Sequence, residues 1–377
     1  MQPHRKEIGM KFSCSRNDLL NALTIVSKGV STRSTMDVLQ GILFTVYDNK
    51  LRLTATDLEI GVKTEIPAQT QNDGEIILNA ALITDVIRKL SGEEVYFESD
   101  EKNRVKIESL LSEFVLNGLP VQDFPDFPKI SEEYSFEISP VLLREMIRST
   151  KDSVALSESI PVHTGIKLEV DQKNIRMISL DGYRLALRRG ELEKGVDDDF
   201  SVIIPGNALK ELFKLLAGIE EPVKVEFSKS QIFFKLGETV FTSRLLEGEF
   251  VSYEGIIPKQ STTDVVISKQ SLLQSCERAA LLAKAGKNNL IKMDFEPDQL
   301  TITSNADVGG VHEVIKIENS GETLKIAFNS KFFIDALKVI DDDKIRIGLT
   351  TPYGPAVVVP VEGSSYTYMI LPVRVSE

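Results

Sequence analysis

One β-hairpin pattern occurs three times in this chain, and this repeat constrains the fold more than any other feature. In residues 165–181 the apolar side chains of Ile166, Leu168 and Val170 alternate with polar ones, a turn follows, and a second alternating run leads back. Similar stretches occupy residues 41–57 and 289–305. The alternation predicts antiparallel strands, and the repetition predicts three copies of one structural unit.

The residues that end the three hairpins give the length of the repeat. Asp57, Asp181 and Asn305 follow one another at intervals of 124 positions. That interval is long enough for a whole domain rather than for one turn of a solenoid. Proline-containing joints at residues 123–128 and 249–258 separate the copies. We therefore expect an extension or tag at residues 1–9 and three repeated domains at residues 10–128, 129–258 and 259–377.

Each repeat contains two helix signals among its strands. Ser15, Ser139 and Ser268 are suited to cap the first helix of each unit, and Pro140 fits a first helical position. The second helices begin near Asn79, Pro205 and Asn329. Each unit then reads β-α-β-β-β twice. Two helices cannot cover both faces of so many strands, so we predict an α+β fold with the helices packed on one side of antiparallel sheets.

Composition excludes several classes of protein. The chain has 42% hydrophobic and 27% charged residues and contains no apolar run of membrane-spanning length. Its two cysteines, Cys14 and Cys276, cannot form a disulfide framework or a four-thiolate site. The three histidines stand in no metal-binding spacing. We expect a cytoplasmic protein with no cofactor, no metal and no membrane contact.

Charge is distributed unevenly along the sequence. The net charge is −12, which by itself argues against a nucleic-acid partner. The six predicted helices, however, contain fifteen basic and seven acidic residues, so they carry +8 while the remainder carries −20. Basic helices gathered on one side of the sheets could face a phosphate backbone, although solvated helix faces are often basic as well.

No catalytic constellation is apparent in the sequence. Asp57 and Glu59 could form a paired carboxylate for a divalent metal ion, with Asp181 as a further ligand. The equivalent positions in the other copies vary freely, as turn residues do, because Asp and Asn both bond their own backbone in turns. We therefore interpret Asp57, Asp181 and Asn305 as turn residues, and we predict no catalytic residues and no metal ligands.

The chain resembles the bacterial DNA polymerase III beta subunits, the sliding clamps. The most specific similar pieces are residues 179–186, SLDGYRLA, and residues 369–375, MILPVRV. Residues 123–128, DFPDFP, and residues 54–59, TATDLE, also match, as does Ala327-Phe-Asn329. The similarity extends over essentially the whole chain from Met10 to Val375.

The resemblance implies three clamp domains and a head-to-tail homodimer that closes into a ring of six domains. Duplex DNA would pass through the ring without sequence readout, with the basic helices inside and the acidic shell outside. The implied function is that of a non-catalytic processivity factor. The implied partners are the replicative DNA polymerase catalytic subunit, the clamp loader, and other polymerases and repair proteins that carry a clamp-binding peptide.

The resemblance also implies site residues. A pocket for a peptide of the Gln-Leu-x-Leu-Phe type would be formed by Gly182, Tyr183, Arg184, Leu185, Pro258, Met369, Leu371, Pro372, Val373 and Arg374. The dimer interface would bring Phe114 and Leu116 of one copy to Leu281 and Leu282 of the other. The residues expected to face DNA are Lys28, Arg33, Arg88, Arg144, Arg148, Lys210, Lys214, Lys284, Lys287, Lys331 and Lys338.

Two other functions are weighed against the clamp. One is a metal-dependent hydrolase that uses Asp57, Glu59 and Asp181, and the other is a monomeric interaction scaffold. A particle of dimer size would separate the clamp from both. Deleting residues Met369 to Glu377 is expected to abolish polymerase stimulation and to leave the dimer intact.

Overall fold

The same order of elements runs three times along the chain. The computed structural model describes residues 9–31, 34–129, 134–156, 159–286 and 289–374. The first repeat contains β1 (Lys11–Ser15), α1 (Arg16–Val26), β2 (Gly41–Tyr47), β3 (Lys50–Thr56), β4 (Ile60–Pro67), β5 (Gln69–Asn72), β6 (Gly74–Asn79), α2 (Ala80–Lys89), β7 (Glu94–Ser99), β8 (Arg104–Ser109) and β9 (Ser112–Asn117). The second contains β10 (Tyr134–Ile138), α3 (Pro140–Thr150), β11 (Gly165–Asp171), β12 (Asn174–Leu180), β13 (Arg184–Glu191), β14 (Phe200–Pro205), α4 (Gly206–Leu215), β15 (Val223–Phe227), β16 (Gln231–Leu236) and β17 (Thr239–Arg244). The third contains β18 (Thr263–Ser268), α5 (Lys269–Ala283), β19 (Leu290–Phe295), β20 (Gln299–Ala306), β21 (Gly309–Lys316), β22 (Glu318–Gly321), β23 (Leu324–Asn329), α6 (Ser330–Val339), β24 (Lys344–Leu349), β25 (Ala356–Pro360) and β26 (Tyr366–Ile370).

The order predicted from the sequence is confirmed, with the short strands β5 and β22 added to it. Two of the three predicted caps, Ser15 and Ser268, are also found. Ser15 and Ser268 accept hydrogen bonds from the backbone of α1 and α5, and Asn79 and Asn329 do the same for α2 and α6. The short polar side chains therefore fix where these helices begin.

The helices are shorter than the sequence suggested, and this changes the charge that they carry. α1 ends at Val26, and α5 ends at Ala283. Lys28, Lys151 and Lys284 accordingly fall outside the α-helices, and Lys287 lies outside the described residues. The six helices contain eleven basic and six acidic residues, a net charge of +5 instead of the predicted +8. The sign of the prediction holds, but its magnitude was too large.

The chain forms two compact units, and each contains two sheets. The first unit comprises residues 1–140 and 214–245, and the second comprises residues 141–213 and 246–377. The first holds the five-stranded sheet β5-β1-β7-β8-β9 and the eight-stranded sheet β10-β15-β16-β17-β4-β3-β2-β6. The second holds the nine-stranded sheet β14-β11-β12-β13-β26-β25-β24-β18-β22 and the four-stranded sheet β21-β20-β19-β23.

Two sheets each combine strands from different repeats. β17 of the second repeat pairs with β4 of the first, and β26 of the third repeat pairs with β13 of the second. Both pairings are antiparallel and use main-chain hydrogen bonds. Repeats visible in the sequence are therefore joined by shared sheets, which the alternation of residues within one repeat could not predict.

Helices pack in pairs against these sheets. α5 contacts α6 and also β19, β20 and β21, and α1 contacts α2, β3 and β4. Leu272, Cys276 and Phe333 are completely buried in the third repeat, as Leu19 and Leu23 are in the first. Cys276 is thus a core residue, as predicted. No helix in the described part of the chain has the length and apolar character that crossing a membrane requires.

The third hairpin is displaced by one position from the spacing predicted. Ile166, Leu168 and Val170 are the buried residues of β11, and their counterparts in β19 are Ile291, Met293 and Phe295. The interval between these sets is 125 positions rather than 124. The residue equivalent to Asp181 is therefore Ala306, and Asn305 lies within β20, paired with Gly310. The prediction that Asn305 begins a turn was wrong.

The turn prediction is confirmed for the other two residues. The Asp57 Oδ1 atom accepts hydrogen bonds from the amides of Glu59 and Ile60, at 2.9 and 2.7 Å. The next residue, Leu58, has a φ of +78°, in the left-handed region that favours glycine. Its counterpart Gly182 has a φ of +87°. One backbone turn is thus built with glycine in the second repeat and with a strained leucine in the first.

This strain predicts that Leu58→Gly stabilises the protein. Leu58 is 44% exposed, so removing its side chain gives up only part of the apolar burial of a core leucine. Relief of the left-handed strain should exceed the extra chain entropy of glycine and raise the free energy of unfolding by about 0.5–1 kcal/mol. Urea denaturation measures the change, and Gly182→Leu should shift the midpoint in the opposite direction. An unchanged or lower midpoint for Leu58→Gly would contradict the argument.

Candidate functional site

A tight turn between β12 and β13 begins the candidate site. Asp181 Oδ1 accepts hydrogen bonds from the amides of Tyr183 and Arg184, both at 3.0 Å. Gly182 supplies the positive φ, and a Cβ atom built on it would meet no other atom within 4 Å. The turn therefore depends on backbone conformation rather than on packing around Gly182. It places Tyr183 at the surface, with 64% of the residue exposed.

Arg184 is buried behind this turn and is fully engaged there. Its Nε atom donates to Asp181 Oδ2 at 3.0 Å, and one terminal nitrogen donates to Asp335 Oδ2 at 2.7 Å. The other terminal nitrogen donates to the carbonyl of Asp152. Its guanidinium carbon also lies 4.7 Å from the centre of the Phe332 ring. Arg184 thus holds the β12–β13 turn to α6, and its charge is compensated within the protein.

The turn and the C-terminal segment lie side by side. The Tyr183 ring stacks on Phe332 with 6.2 Å between ring centres, and the Tyr183 carbonyl accepts a 2.8 Å hydrogen bond from the Leu371 amide. Along β13, Leu185 pairs with Met369 of β26. The Val373 amide donates to the Ala327 carbonyl at 2.8 Å. The structure therefore brings together Gly182, Tyr183, Arg184, Leu185, Met369, Leu371 and Val373, which the sequence had grouped.

An apolar cluster underlies this surface. Leu185 and Met369 are buried together with Leu180, Leu187 and Tyr253. Three of these were missed as site residues: Leu180 is the residue before the turn, Leu187 follows Leu185 by two positions in β13, and Tyr253 lies in the joint at 249–258. The aromatic residues of that joint were the available signal, since they predict packing rather than a free linker. Tyr253 is 5% exposed, so the joint packs onto the sheet.

The hydroxyl of Tyr253 is tied down as well. It donates a 2.7 Å hydrogen bond to Glu169 Oε2. Burial, and then the hydrogen bond to the Glu169 carboxylate, raise the pKa of Tyr253 to about 12. The phenol therefore remains neutral at physiological pH and acts as a donor that positions the joint.

Three further predicted pocket residues are placed differently. Pro258 lines a cavity of about 450 Å³ beside Arg189 and Tyr253, which neither Tyr183 nor Leu371 lines. Pro372 is half-buried, and Arg374 is exposed. Val373 and Arg374 border a groove of about 480 Å³ on the four-stranded sheet. Pro258 thus adjoins the candidate site through Leu187 and Tyr253, which line this cavity and also belong to the apolar cluster.

Several of the basic residues predicted to face DNA already have acidic partners. Arg88 pairs with Asp85 at 2.6 Å, Lys331 with Asp335 at 2.5 Å, and Lys338 with Glu277 at 3.0 Å. Arg148 pairs with Asp341, and the Arg144 guanidinium lies 4.6 Å from the Phe213 ring centre. Lys28 follows α1 in a short 3-10 helix, Lys210 and Lys214 lie on α4, and Lys284 follows α5. Arg33 and Lys287 lie outside the described residues.

The predicted dimer residues lie on one sheet edge and on a helix beside another. Phe114 and Leu116 belong to β9, the last strand of the five-stranded sheet, and β21 is an edge of the four-stranded sheet. Phe114 is 37% exposed although it pairs with the buried Ile107. Leu281 is 69% exposed, and the Leu282 Cδ1 atom lies 3.9 Å from a Cβ built on Gly309, at the start of β21. Each edge therefore has exposed apolar side chains next to main-chain groups that no strand in the described part of the chain pairs with.

The geometry gives no support to the metal-dependent hydrolase. The carboxylates of Asp57 and Asp181 are occupied by the turn amides described above. Within the described ranges, no group of three His, Cys, Asp or Glu side chains is arranged to hold a metal ion.

Comparisons with known proteins agree over the length of the chain. Profiles of the N-terminal, central and C-terminal domains of the DNA polymerase III beta subunit match residues 10–128, 137–252 and 254–374. The chain is 33% identical to the beta sliding clamp of Bacillus subtilis, over 97% of this chain and 100% of that one. It is 32% identical to the beta sliding clamp of Staphylococcus epidermidis, over 97% of this chain and 99% of that one.

Solved structures are similar to the same extent. The Bacillus subtilis DNA polymerase sliding clamp superposes with a TM-score of 0.95 at 33% identity, covering 98% of this chain and all of that one. The DNA polymerase III beta subunit of Thermotoga maritima gives a TM-score of 0.91 at 27% identity, covering 97% of this chain and all of that one.

Proposed function

Because this chain belongs to the family of DNA polymerase III beta subunits, the sliding clamps, we propose that it encircles duplex DNA and tethers the replicative polymerase to it. The family is non-catalytic, so the chain is not an enzyme. The proposed particle is a head-to-tail homodimer that closes into a six-domain ring. The proposal rests on the way in which strands of successive repeats pair with each other.

A pairing rule is visible where one repeat joins the next. The first helix of each repeat is followed by three strands, which are β2–β4, β11–β13 and β19–β21. In each junction, the third of these strands pairs with the last strand of the following repeat. β4 pairs with β17 in this way, and β13 pairs with β26. Applied once more, the rule pairs β21 of the third repeat with β9 of a first repeat. Both are open edges, so a second copy of the chain would satisfy the rule at both of its ends.

The same rule fixes the register. Gly61 pairs with Thr242, and Leu185 pairs with Met369. The equivalent of Gly61 and Leu185 in the third repeat is Gly310, because the hairpin pairs Thr56–Gly61, Leu180–Leu185 and Asn305–Gly310 correspond. The equivalent of Thr242 in the first repeat is Val115, because the hairpin pairs Ser109–Ser112 and Leu236–Thr239 correspond. Gly310 of one copy should therefore face Val115 of the other.

Side-chain direction provides an independent check of this register. The register places Val311 of one copy opposite Phe114 of the other. Val311 is paired with the buried Ser304, and Phe114 is paired with the buried Ile107, so both point to the helix-covered face. A shift of one residue would set an apolar side chain against the opposite face. The derived register is therefore the one that continues the core across the junction.

A disulfide test follows from this register. His312 should lie opposite Glu113 of the second copy, and both residues are exposed. The double variant Glu113→Cys with His312→Cys should therefore form a covalent dimer under mild oxidation, as seen on a non-reducing gel. Cys14 and Cys276 should not react, since burial raises the pKa of each thiol to about 12.

The matched control moves one cysteine by two residues. Glu113→Cys with Val314→Cys places the Cα atoms on a diagonal, about 7–8 Å apart, which is too far for an unstrained disulfide. Equal cross-linking of both pairs, or of neither, would count against the proposed junction.

The ring proposal also accounts for the distribution of charge. Helices with a net charge of +5 would face the DNA backbone while the acidic remainder faces outward. The ion pairs of Arg88, Lys331 and Lys338 are at least half exposed at their basic members. Such pairs are weak, so these side chains can exchange carboxylate for phosphate as the ring slides.

Tethering is assigned to the surface around Tyr183 and Leu371. An exposed aromatic ring next to a buried apolar cluster is typical of a peptide site. A partner held there would rebind DNA at a high effective concentration, because the ring keeps it close. We propose as partners the replicative polymerase catalytic subunit, the clamp loader, and other polymerases and repair proteins that carry a clamp-binding peptide.

A further inference from the structure

The cavity beside Pro258 contains two cations without carboxylate partners. It has a volume of about 450 Å³ and lies between β12, β13 and the joint at residues 253–259. Arg189 and Lys259 line it. The Arg189 guanidinium donates to the Ser364 carbonyl and to Thr367 Oγ1, both at 3.0 Å. Within the described part of the chain, neither Arg189 nor Lys259 forms an ion pair.

Arg189 is half-buried, which makes the lack of a direct ion pair significant. Burial lowers its pKa, and the nearby Arg176 guanidinium acts in the same direction, whereas Tyr253 and the Glu254 carboxylate act in the opposite one. Arg176 is itself compensated, because the Glu169, Glu254 and Asp171 carboxylates lie within 3.5–3.8 Å of it. Glu254 is the acidic residue that also lines the cavity. The lining side chains therefore carry three positive charges and one negative charge, in a protein whose net charge is −12. A desolvated arginine in such a place is suited to bind an anion.

The cavity is continuous with the candidate peptide site along one strand. Leu185, Leu187 and Arg189 are alternate residues of β13 and point to the same face of the sheet. Leu187 and Tyr253 line the cavity and also belong to the apolar cluster that contains Leu185 and Met369. Four residues of extended strand span about 13 Å. An extended peptide bound over Leu185 could thus reach Arg189 with about four additional residues.

We propose that this cavity binds an acidic side chain that a partner protein carries about four residues outside its clamp-binding peptide. The inference rests on the proposed peptide site and adds a second determinant to it. A carboxylate is favoured over an apolar group because Arg189 offers a planar donor and Lys259 adds a mobile charge. The apolar wall of Leu187, Ile175 and Ile257 would cover the stem of that side chain.

Fluorescence anisotropy with labelled peptides tests the proposal. The core peptide is Gln-Leu-Ser-Leu-Phe, extended by Gly-Ser-Gly-Asp-Glu at its C-terminal end or by Glu-Asp-Gly-Ser-Gly at its N-terminal end. The neutral counterparts carry Asn and Gln in place of Asp and Glu. At one of the two ends, the peptide with the acidic extension should bind the protein about tenfold more tightly than the peptide with the neutral extension. Lys259→Gln should reduce this gain, and Lys259→Gln with Arg189→Gln should abolish it, while affinity for the core peptide stays unchanged. Lys259 is exposed, so its single variant tests the idea even if the double variant unfolds.

Controls distinguish failure of the proposed peptide site from failure of the cavity inference alone. Lys229→Gln, an exposed lysine outside the cavity, should retain the whole gain. If the core peptide does not bind to the unaltered protein, the proposed peptide site is wrong, and this inference is wrong with it. If the core binds but acidic and neutral extensions have equal affinity at both ends, only the cavity inference is overturned. A gain that persists in the double variant would indicate non-specific charge attraction and would also overturn it.

Discussion

Replacing both Leu281 and Leu282 by aspartate is expected to convert a dimer near twice 41.9 kDa into a monomer. The two leucines lie at the end of α5 beside the open edge of β21, where the second copy's β9 is proposed to pair. Two carboxylates at that contact would each lose water without gaining a partner, which costs several kcal/mol in total. Dimer affinity should therefore fall by about a thousandfold or more. Sedimentation at micromolar concentration measures it.

The matched control for this variant is Leu156→Asp. Leu156 is 96% exposed and belongs to the second repeat, which contributes neither β9 nor β21, so the dimer should persist. Leu281→Asp alone should weaken the dimer without affecting folding, because Leu281 is 69% exposed. An unaltered protein that is already monomeric at micromolar concentration would contradict the ring and favour the monomeric scaffold. A dimeric double variant would place the interface elsewhere.

Removing residues 372–377 is expected to weaken partner-peptide binding strongly while the dimer remains. Val373 is anchored to the Ala327 carbonyl and follows the segment that borders Tyr183. Without it, one wall of the proposed site is lost, and we expect affinity for the Gln-Leu-Ser-Leu-Phe peptide to fall by at least about tenfold. Anisotropy with the labelled peptide and sedimentation of the same sample measure the two properties.

The truncation point matters, because the structure changes the experiment that the sequence suggested. A deletion from Met369 onward would remove the end of β26, which pairs with both β13 and β25. Met369 and Ile370 are buried, and their deletion should therefore destabilise the second unit. Peptide binding would then be lost because the unit unfolds, whether or not the deleted residues contact the peptide. Ending the chain at Leu371 spares the strand and the hydrogen bond to Tyr183. Unchanged peptide binding after that truncation would move the partner site elsewhere.

Local structure was the part of the fold most accessible from sequence. Apolar alternation around Ile166 and Ile175 predicted the hairpins, and Ser15, Ser268 and Asn79 predicted the helix starts, because these signals act over a few residues. The short strands β5 and β22 were missed, since four polar residues give no periodicity. The register of the third hairpin was misjudged by one position, because the resemblance of Asn305 to Asp181 outweighed the buried residues Ile291 and Met293.

Long-range features of the fold were harder to predict from the sequence. The sheets shared between repeats depend on pairings such as β17 with β4, whose partners are about 180 residues apart, and no local pattern encodes them. At the candidate site, sequence pieces correctly grouped the β12–β13 turn with the C-terminus. The burial of Arg184 between Asp181 and Asp335 was not foreseen, because Asp335 belongs to another repeat. Pro258 was grouped with the turn and the C-terminus through the resemblance to the sliding clamps, whereas the structure places it at the basic cavity.

The central claim is that the protein holds DNA by enclosing it, and retention on circular and linear DNA tests this most directly. The protein is loaded onto nicked circular DNA by a clamp loader, the loader is removed, and the circle is then cut once. Because the proposed ring makes only backbone contacts, we expect it to remain on the intact circle in high salt and to leave within minutes of linearisation. Equal retention on circular and linear DNA would contradict encirclement.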